Sequence, residues 1–252
     1  MNDSDVIRAL NTIRKVYARI LDGSQSIVIP NAVSSVRESK VEYDRTKRNR
    51  SRGIPIKPWG YVINDDKPLR FMPSRVKDFD LQVDVYCKMF WEDDAIPVEQ
   101  DIKVRLWSEH DQLIFDPERD ASAISAKLKD LSRERQGRVI SRFHFDKANQ
   151  RQQGPEYHLQ FGGNSKEYEL CWHPSSVNIP RFQYHPMELF LTCQLIAANF
   201  FRDEYLEIKE TSEWRGMLTL CQNHLLVGHY QNCLNILQRG ESLLDHLWIN
   251  CY

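Results

Sequence analysis

The sequence predicts an α+β fold: an antiparallel sheet of about five strands, covered by helices from both ends of the chain. Apolar residues recur at helical spacing near the N-terminus. From about residue 80 they alternate with polar ones at a period of two. After Pro180 they fill a helix that is apolar nearly all round, which marks burial. Alternating strands followed by helices suit an antiparallel sheet with one wet face. Residues 1–76 read as an N-terminal helix with a basic, Pro/Gly-interrupted segment. Residues 77–252 read as an α+β unit, its sheet over 80–173 and its helical part over 180–252, the whole forming one compact body.

Asp3 or Ser4 can cap the first helix, and Val6, Ile7, Leu10, Ile13, Val16, Tyr17, Ile20 and Leu21 then recur at helical spacing. Gly23 ends it. Between residues 24 and 76 proline and glycine recur, at Pro30, Gly53, Pro55, Pro58, Gly60, Pro68 and Pro73. Seven Lys or Arg stand against three acids from Arg37 to Arg52, a net of +4. This stretch reads as a long basic connection with short strands at most.

LQVDVYCKMF and DIKVRLW then read as strands, residues 120–134 as an amphipathic helix, and RVISRFHFD, PEYHLQFG and KEYELCWH as three further strands. The helix PMELFLTCQLIAANFF follows, with helical segments near 213–227 and 229–248. Residues 178–252 carry five basic and eight acidic side chains, a net of −3 that can complement the basic segment.

Composition excludes more than it assigns. Thirty-four Lys and Arg nearly cancel thirty-five Asp and Glu, so net charge announces no partner. No apolar run of about 18 residues occurs, and no membrane-spanning helix is expected. The start, MNDSDVIRALNTIRK, lacks a basic region followed by an apolar stretch, so cytoplasmic location is the default. The six cysteines have no paired spacing and read as buried thiols. Phosphate-loop, GxGxxG, HExxH and GxSxG patterns are absent, and no cofactor or resident metal is expected.

One constellation carries chemistry. If RVISRFHFD and PEYHLQFG form a hairpin with Asp146 opposite Glu156, then His144 faces His158 and Arg142 faces Gln160, all on one side of the sheet. Pairing Phe161 with Lys166 through the GGNS turn then sets Glu169 beside His158. Slipping this register by two residues keeps the face and changes the partners. Two imidazoles can act as acid and base, and an arginine fork can hold phosphate. These are the ingredients for cleaving an RNA phosphodiester. Alternatively, two His and a carboxylate can ligate a divalent metal, or the residues simply form a solvated sheet face. Arg45, Lys47, Arg48, Arg50 and Arg52 can track a nucleic-acid backbone, with Trp59 or Tyr61 stacking on bases. His173 and His185 lie in His-Pro turns that can add to the site, while His224 and His229 read as structural.

RFHFD, HLQFGG and PRFQYHPMELFLTCQLIAANFF together resemble uncharacterised bacterial families encoded beside toxin–antitoxin and phage-defence genes. The resemblance covers residues 138–201, and Arg142, His144, Asp146 and His158 match its motif. It implies a cytoplasmic bacterial protein from a defence or toxin locus.

The leading expectation is therefore a nucleic-acid-acting protein, a ribonuclease with His144 and His158 as acid and base. Arg142 would be its phosphate clamp, Glu169 the residue orienting His158, and Asp146 a flanking acid. The other class is a noncatalytic interaction subunit that binds a protein partner through its helical half.

Overall fold

The computed structural model describes residues 1–50, 53–72, 74–76, 79–92, 96–108, 138–148, 154–162 and 181–249. Helix α1 (Asp3–Val16) starts one residue ahead of the expected caps. The Asn2 side chain accepts the Asp5 N–H at 2.9 Å. Val6, Leu10 and Ile13 are buried, and the turn after the helix buries Tyr17, Ile20 and Leu21 in the same core.

The first half of the basic connection expected over residues 24–76 is instead helical, and short strands follow it. Helix α2 spans Gln25–Arg48 with Pro30 inside it. Val28, Ile29, Ala32, Val33, Val36 and Tyr43 are buried at helical spacing. An interior proline costs roughly 3 kcal/mol, whereas each larger apolar side chain buried contributes about 1.5–3 kcal/mol. The buried stripe therefore outweighs the proline.

The sheet is larger than expected. Strands β1 (Trp59–Ile63), β2 (Leu69–Arg70) and β3 (Ser74–Val76) dock in succession on the long strand β4 (Phe79–Trp91). Beyond β4 lie β5 (Glu99–Ser108), β6 (Arg138–Lys147), β8 (Tyr157–Phe161) and β9 (Arg181–Gln183), each antiparallel to its neighbour. The two-residue strand β7 (Gly154–Pro155) pairs separately with β10 (Trp248–Ile249). The expected helix over 120–134 and strand KEYELCWH lie outside the described residues.

The C-terminal helices are α3 (Leu189–Phe200), α4 (Arg202–Ile208), α5 (Ser212–Cys221), α6 (Gly228–Gln238) and α7 (Leu243–Leu247). A π-helical turn, Gln222–Val227, joins α5 to α6. No described helix is long and apolar enough to cross a membrane. The acidic C-terminal half meets Lys15, which pairs with Glu213, and Arg19, whose Nη1 is 2.7 Å from Glu207.

The core lies on one face of the sheet. Val83, Val85, Cys87, Met89, Ile102, Val104 and Phe145 meet the buried stripes of α1, α2 and α3. Trp214 Nε1 donates to the Tyr17 hydroxyl at 3.0 Å and ties α5 to this layer. Cys87, Cys193 and Cys221 are buried free thiols, as expected. Cys233 is half-buried, and Cys171 and Cys251 lie outside the described residues.

Two backbone details hold the helices on the sheet. The Ser39 hydroxyl on α2 donates to the Gly60 carbonyl at 2.9 Å and can accept the Gly60 N–H at 3.0 Å. A Cβ at Gly60 would stand 1.9 Å from the Met89 carbonyl oxygen. At the start of α3, the buried Glu188 carboxylate accepts the N–H groups of Phe190 and Leu191 at 2.7 and 2.6 Å. Burial nonetheless pushes its pKa up to about 7, and the two backbone donors only partly oppose it.

Gly60→Ala should destabilise the protein by roughly 2–3 kcal/mol or more in chemical denaturation, because β1 and β4 must part to admit a methyl group. Glu188 holds a proton in the folded state between its unfolded value of 4.5 and about 7. Its contribution therefore falls as pH rises through that window and is flat above it, a change on the order of 3 kcal/mol. Glu188→Gln should remove this slope when the two proteins' stabilities are subtracted between pH 4.5 and 8.

Candidate functional site

Side chains opposite the apolar core form three rows across the sheet. The first is Asp84, Arg105 and Arg142, on β4, β5 and β6. The second is Tyr86, Lys103, His144, Gln160 and Arg181, running on to β8 and β9. The third is Lys88, Asp101, Asp146, His158 and Gln183. His144, Asp146, His158 and Arg142 thus share one face, as the alternation of RVISRFHFD and PEYHLQFG requires.

Their partners differ from the expected pairing by two residues. Asp146 lies opposite His158, and His144 lies opposite Gln160. A clamp at Gly162 fixes this register. Its N–H donates to the Arg142 carbonyl at 2.7 Å, and Arg142 Nε donates back to the Gly162 carbonyl at 3.1 Å. Gly162 takes φ 76°, a conformation that favours glycine. The β8 edge that was to carry Glu169 holds β9 instead, with Gln183 beside His158. Glu169 itself lies outside the described residues.

Much of this face is buried, so its charges are paired. Arg70 forks onto Asp84 at 2.8 and 3.0 Å. Arg105 donates to the Tyr86 hydroxyl at 3.0 Å, lies 4.3 Å from that ring's centre, and reaches Asp65 at 3.4 Å. Arg142 is buried against Gly162 and is better placed to hold the turn than to clamp a substrate phosphate.

The two imidazoles are also committed. His158 is 1% exposed, and its Nδ1 lies 3.1 Å from the Pro155 carbonyl. A carbonyl only accepts, so Nδ1 carries the proton. Its Nε2 is buried without a hydrogen-bond partner, 3.9 Å from Asp146 Oδ2. The His144 ring bonds the Gly162 backbone, and its Nε2 is likewise buried and unpartnered. Burial first, then Arg142, Lys103 and Arg105, hold His144 down at about 3. Burial also lowers His158. Burial thus favours the neutral form of both rings.

Asp101, His144 and Asp146 each offer a ligand atom within 4.8 Å of the others. Burial, and then the neighbouring Asp101, push Asp146 up to about 8. One oxygen of each aspartate is buried and unbonded. Lys103 Nζ stands 3.2 Å from Asp101 Oδ2. Asp101, Lys103 and Arg181 escaped the sequence reading. The signal for the first two was present in DIKVRLW, whose polar half alternates as cleanly as its apolar half.

The nucleic-acid candidates lie elsewhere. Arg45, Lys47, Arg48 and Arg50 are exposed at the C-terminal end of α2, on the helical side of the sheet and away from the histidines. Cations there also suit the helix dipole. Trp59 does not present itself for base stacking. It is fully buried, stacked on Trp91 at 5.0 Å, with Lys40 Nζ 5.2 Å from its ring centre. Tyr61 is buried too. Arg52 and His173 lie outside the described residues. His185 stacks on Tyr184 at 4.1 Å and bonds the Tyr230 hydroxyl at 3.0 Å. His224 stands 3.7 Å from Asp5, and His229 meets Tyr157 edge-on.

No family model, curated protein or solved structure matches the chain.

At pH 7, long-range proton–nitrogen NMR should show His144 and His158 as neutral rings protonated on Nδ1, the tautomer their backbone acceptors select. An Nε2-protonated or doubly protonated ring at either position would contradict this geometry.

Proposed function

We propose that the chain acts on nucleic acid, as a phosphodiester-directed protein of bacterial defence or toxin type, with the second and third polar rows as its reacting surface. The observation that carries this reading is convergence. Asp101, His144, Asp146 and His158 meet on adjacent strands, with Lys103 and Arg181 beside them. Those two cations give a phosphate an electrostatic reason to settle there. The side chains of Asp101, Lys103 and Asp146 retain partial solvent access, so a substrate can reach the cluster. Lys103 and Arg181 replace Arg142 as the phosphate contacts. The basic end of α2, on the other side of the sheet, has no part in this surface.

A second reading has its own support. Val227, at the end of the π-helical turn, and Tyr230, Leu234 and Leu237 on α6 are exposed at helical spacing, with Leu244 exposed beyond them. An apolar stripe of this kind is how a helix meets a protein partner. On this reading the chain is a noncatalytic subunit of a defence or toxin–antitoxin complex.

Purified protein incubated with total RNA and with single-stranded DNA, with and without chelator, tests the first reading. Wild type should cleave one of them, and His144→Ala and Lys103→Ala should each cut the rate by about 100-fold or more while near-UV circular dichroism is unchanged. A folded wild type inert toward both substrates would sink this reading and leave the interaction subunit.

A further inference from the structure

We propose that Asp101, His144 and Asp146 bind a divalent transition-metal ion, with His158 as the fourth donor. The site is new relative to the nucleic-acid reading and does not depend on it, because a bound ion can serve chemistry on other substrates or hold β5, β6 and β8 together.

Three features of the geometry point to a cation. First, the three nearest donors lie within 4.8 Å of one another. Donors on one metal at about 2.0–2.2 Å stand roughly 3–4 Å apart, so small side-chain rotations close the set. Second, both imidazoles are prepared as ligands. His158 gives its Nδ1 proton to the Pro155 carbonyl, and His144 bonds the Gly162 backbone. A metal-ligating histidine is oriented in this way by a partner on its other nitrogen. Third, the remaining valences are unanswered. His158 is 1% exposed, and its bare Nε2 faces Asp146 Oδ2 at 3.9 Å. His144 Nε2, Asp101 Oδ1 and Asp146 Oδ1 are buried without hydrogen-bond partners. Lone pairs and carboxylates converge there, with Lys103 at Asp101 Oδ2 as the neighbouring ammonium, and call for a further positive charge in their midst.

Donor chemistry narrows the ion. Two imidazoles with two carboxylates favour Mn²⁺, Fe²⁺, Co²⁺ or Zn²⁺ over Ca²⁺ and Mg²⁺, which prefer all-oxygen shells. The two carboxylates neutralise a dication. Lys103, beside Asp101, and Arg181, in the adjacent row, are the cations whose charge acts on Asp146. Arg142 and Arg105 complete the cations facing His144, and both are held by protein partners.

The test uses the full chain, stripped with chelator and desalted, then titrated calorimetrically with Mn²⁺, Co²⁺ and Zn²⁺, with Mg²⁺ and Ca²⁺ as comparisons. One ion per chain is expected for the transition metals, with binding weakened about 100-fold or more in Asp146→Asn and His144→Ala and unchanged in His224→Gln. Should the ligand variants misfold, pulsed EPR of the Mn²⁺-loaded wild type decides, since it reads imidazole nitrogen coupling without any substitution. Absence of stoichiometric binding by folded wild type, binding indifferent to Asp146→Asn, or a bound Mn²⁺ without nitrogen coupling would each overturn the site.

Discussion

The alternation of side chains along β5, β6 and β8 is the constraint on which the rest of this molecule depends. One set of positions, Ile102, Val104, Phe143, Phe145 and Leu159, belongs to the helical core or packs against it. The intervening set, Asp101, Lys103, Arg142, His144, Asp146 and His158, is thereby forced to the other side. Neither set can be moved alone, since a one-residue slip would drive the charges into the core and the aromatics out of it. A two-residue slip is the smallest that sterics allow, and the Gly162 clamp on Arg142 resolves that remaining freedom.

The polar side is unusual in how little water it keeps. Asp84, Arg105, Arg142 and His158 are all buried. Burying charge is tolerable only with partners, and the Arg70–Asp84 fork and the contacts of Arg105 with Tyr86 and Asp65 supply them at one end of the rows. At the other end the balance tips. Two aspartates and two imidazoles meet there, and burial works against the charged forms of Asp146, His144 and His158. The same face is thus a structural ion-pair network at one end and a reactive cluster at the other.

Most of the architecture was legible because it rests on periodicity. The α+β class, the α1 stripe, the long strands and the apolar α3 all follow from patterns of two and of three to four. Helix α2 was hidden because Pro30 and the charge-dense run after Arg37 resemble a connection, although Val28, Ala32, Val36 and Tyr43 already share a helix face. The shared face of His144 and His158 was readable, since alternation fixes it. Their partners were not, because KANQRQQG imposes no tight turn and leaves either pairing open. The burial of Trp59 was unreadable for a related reason. Nothing local reveals that β1 will lie on Trp91, a residue thirty-two positions away in the sequence.

The wide turn at Gln222–Val227 has a consequence for the outward surface of the molecule. Trp214, Met217, Cys221 and Leu225 all face inward. The steps from Met217 to Cys221 and from Cys221 to Leu225 are four residues each, which overshoots an α-helical turn by about 40°, and the π-helical segment absorbs the second overshoot. What it leaves pointing away from the body is the strip from Val227 to Leu237. The length of this one segment therefore acts as a dial. Losing a single residue there would swing everything after it by about 100° and exchange an outward greasy ridge for a polar one.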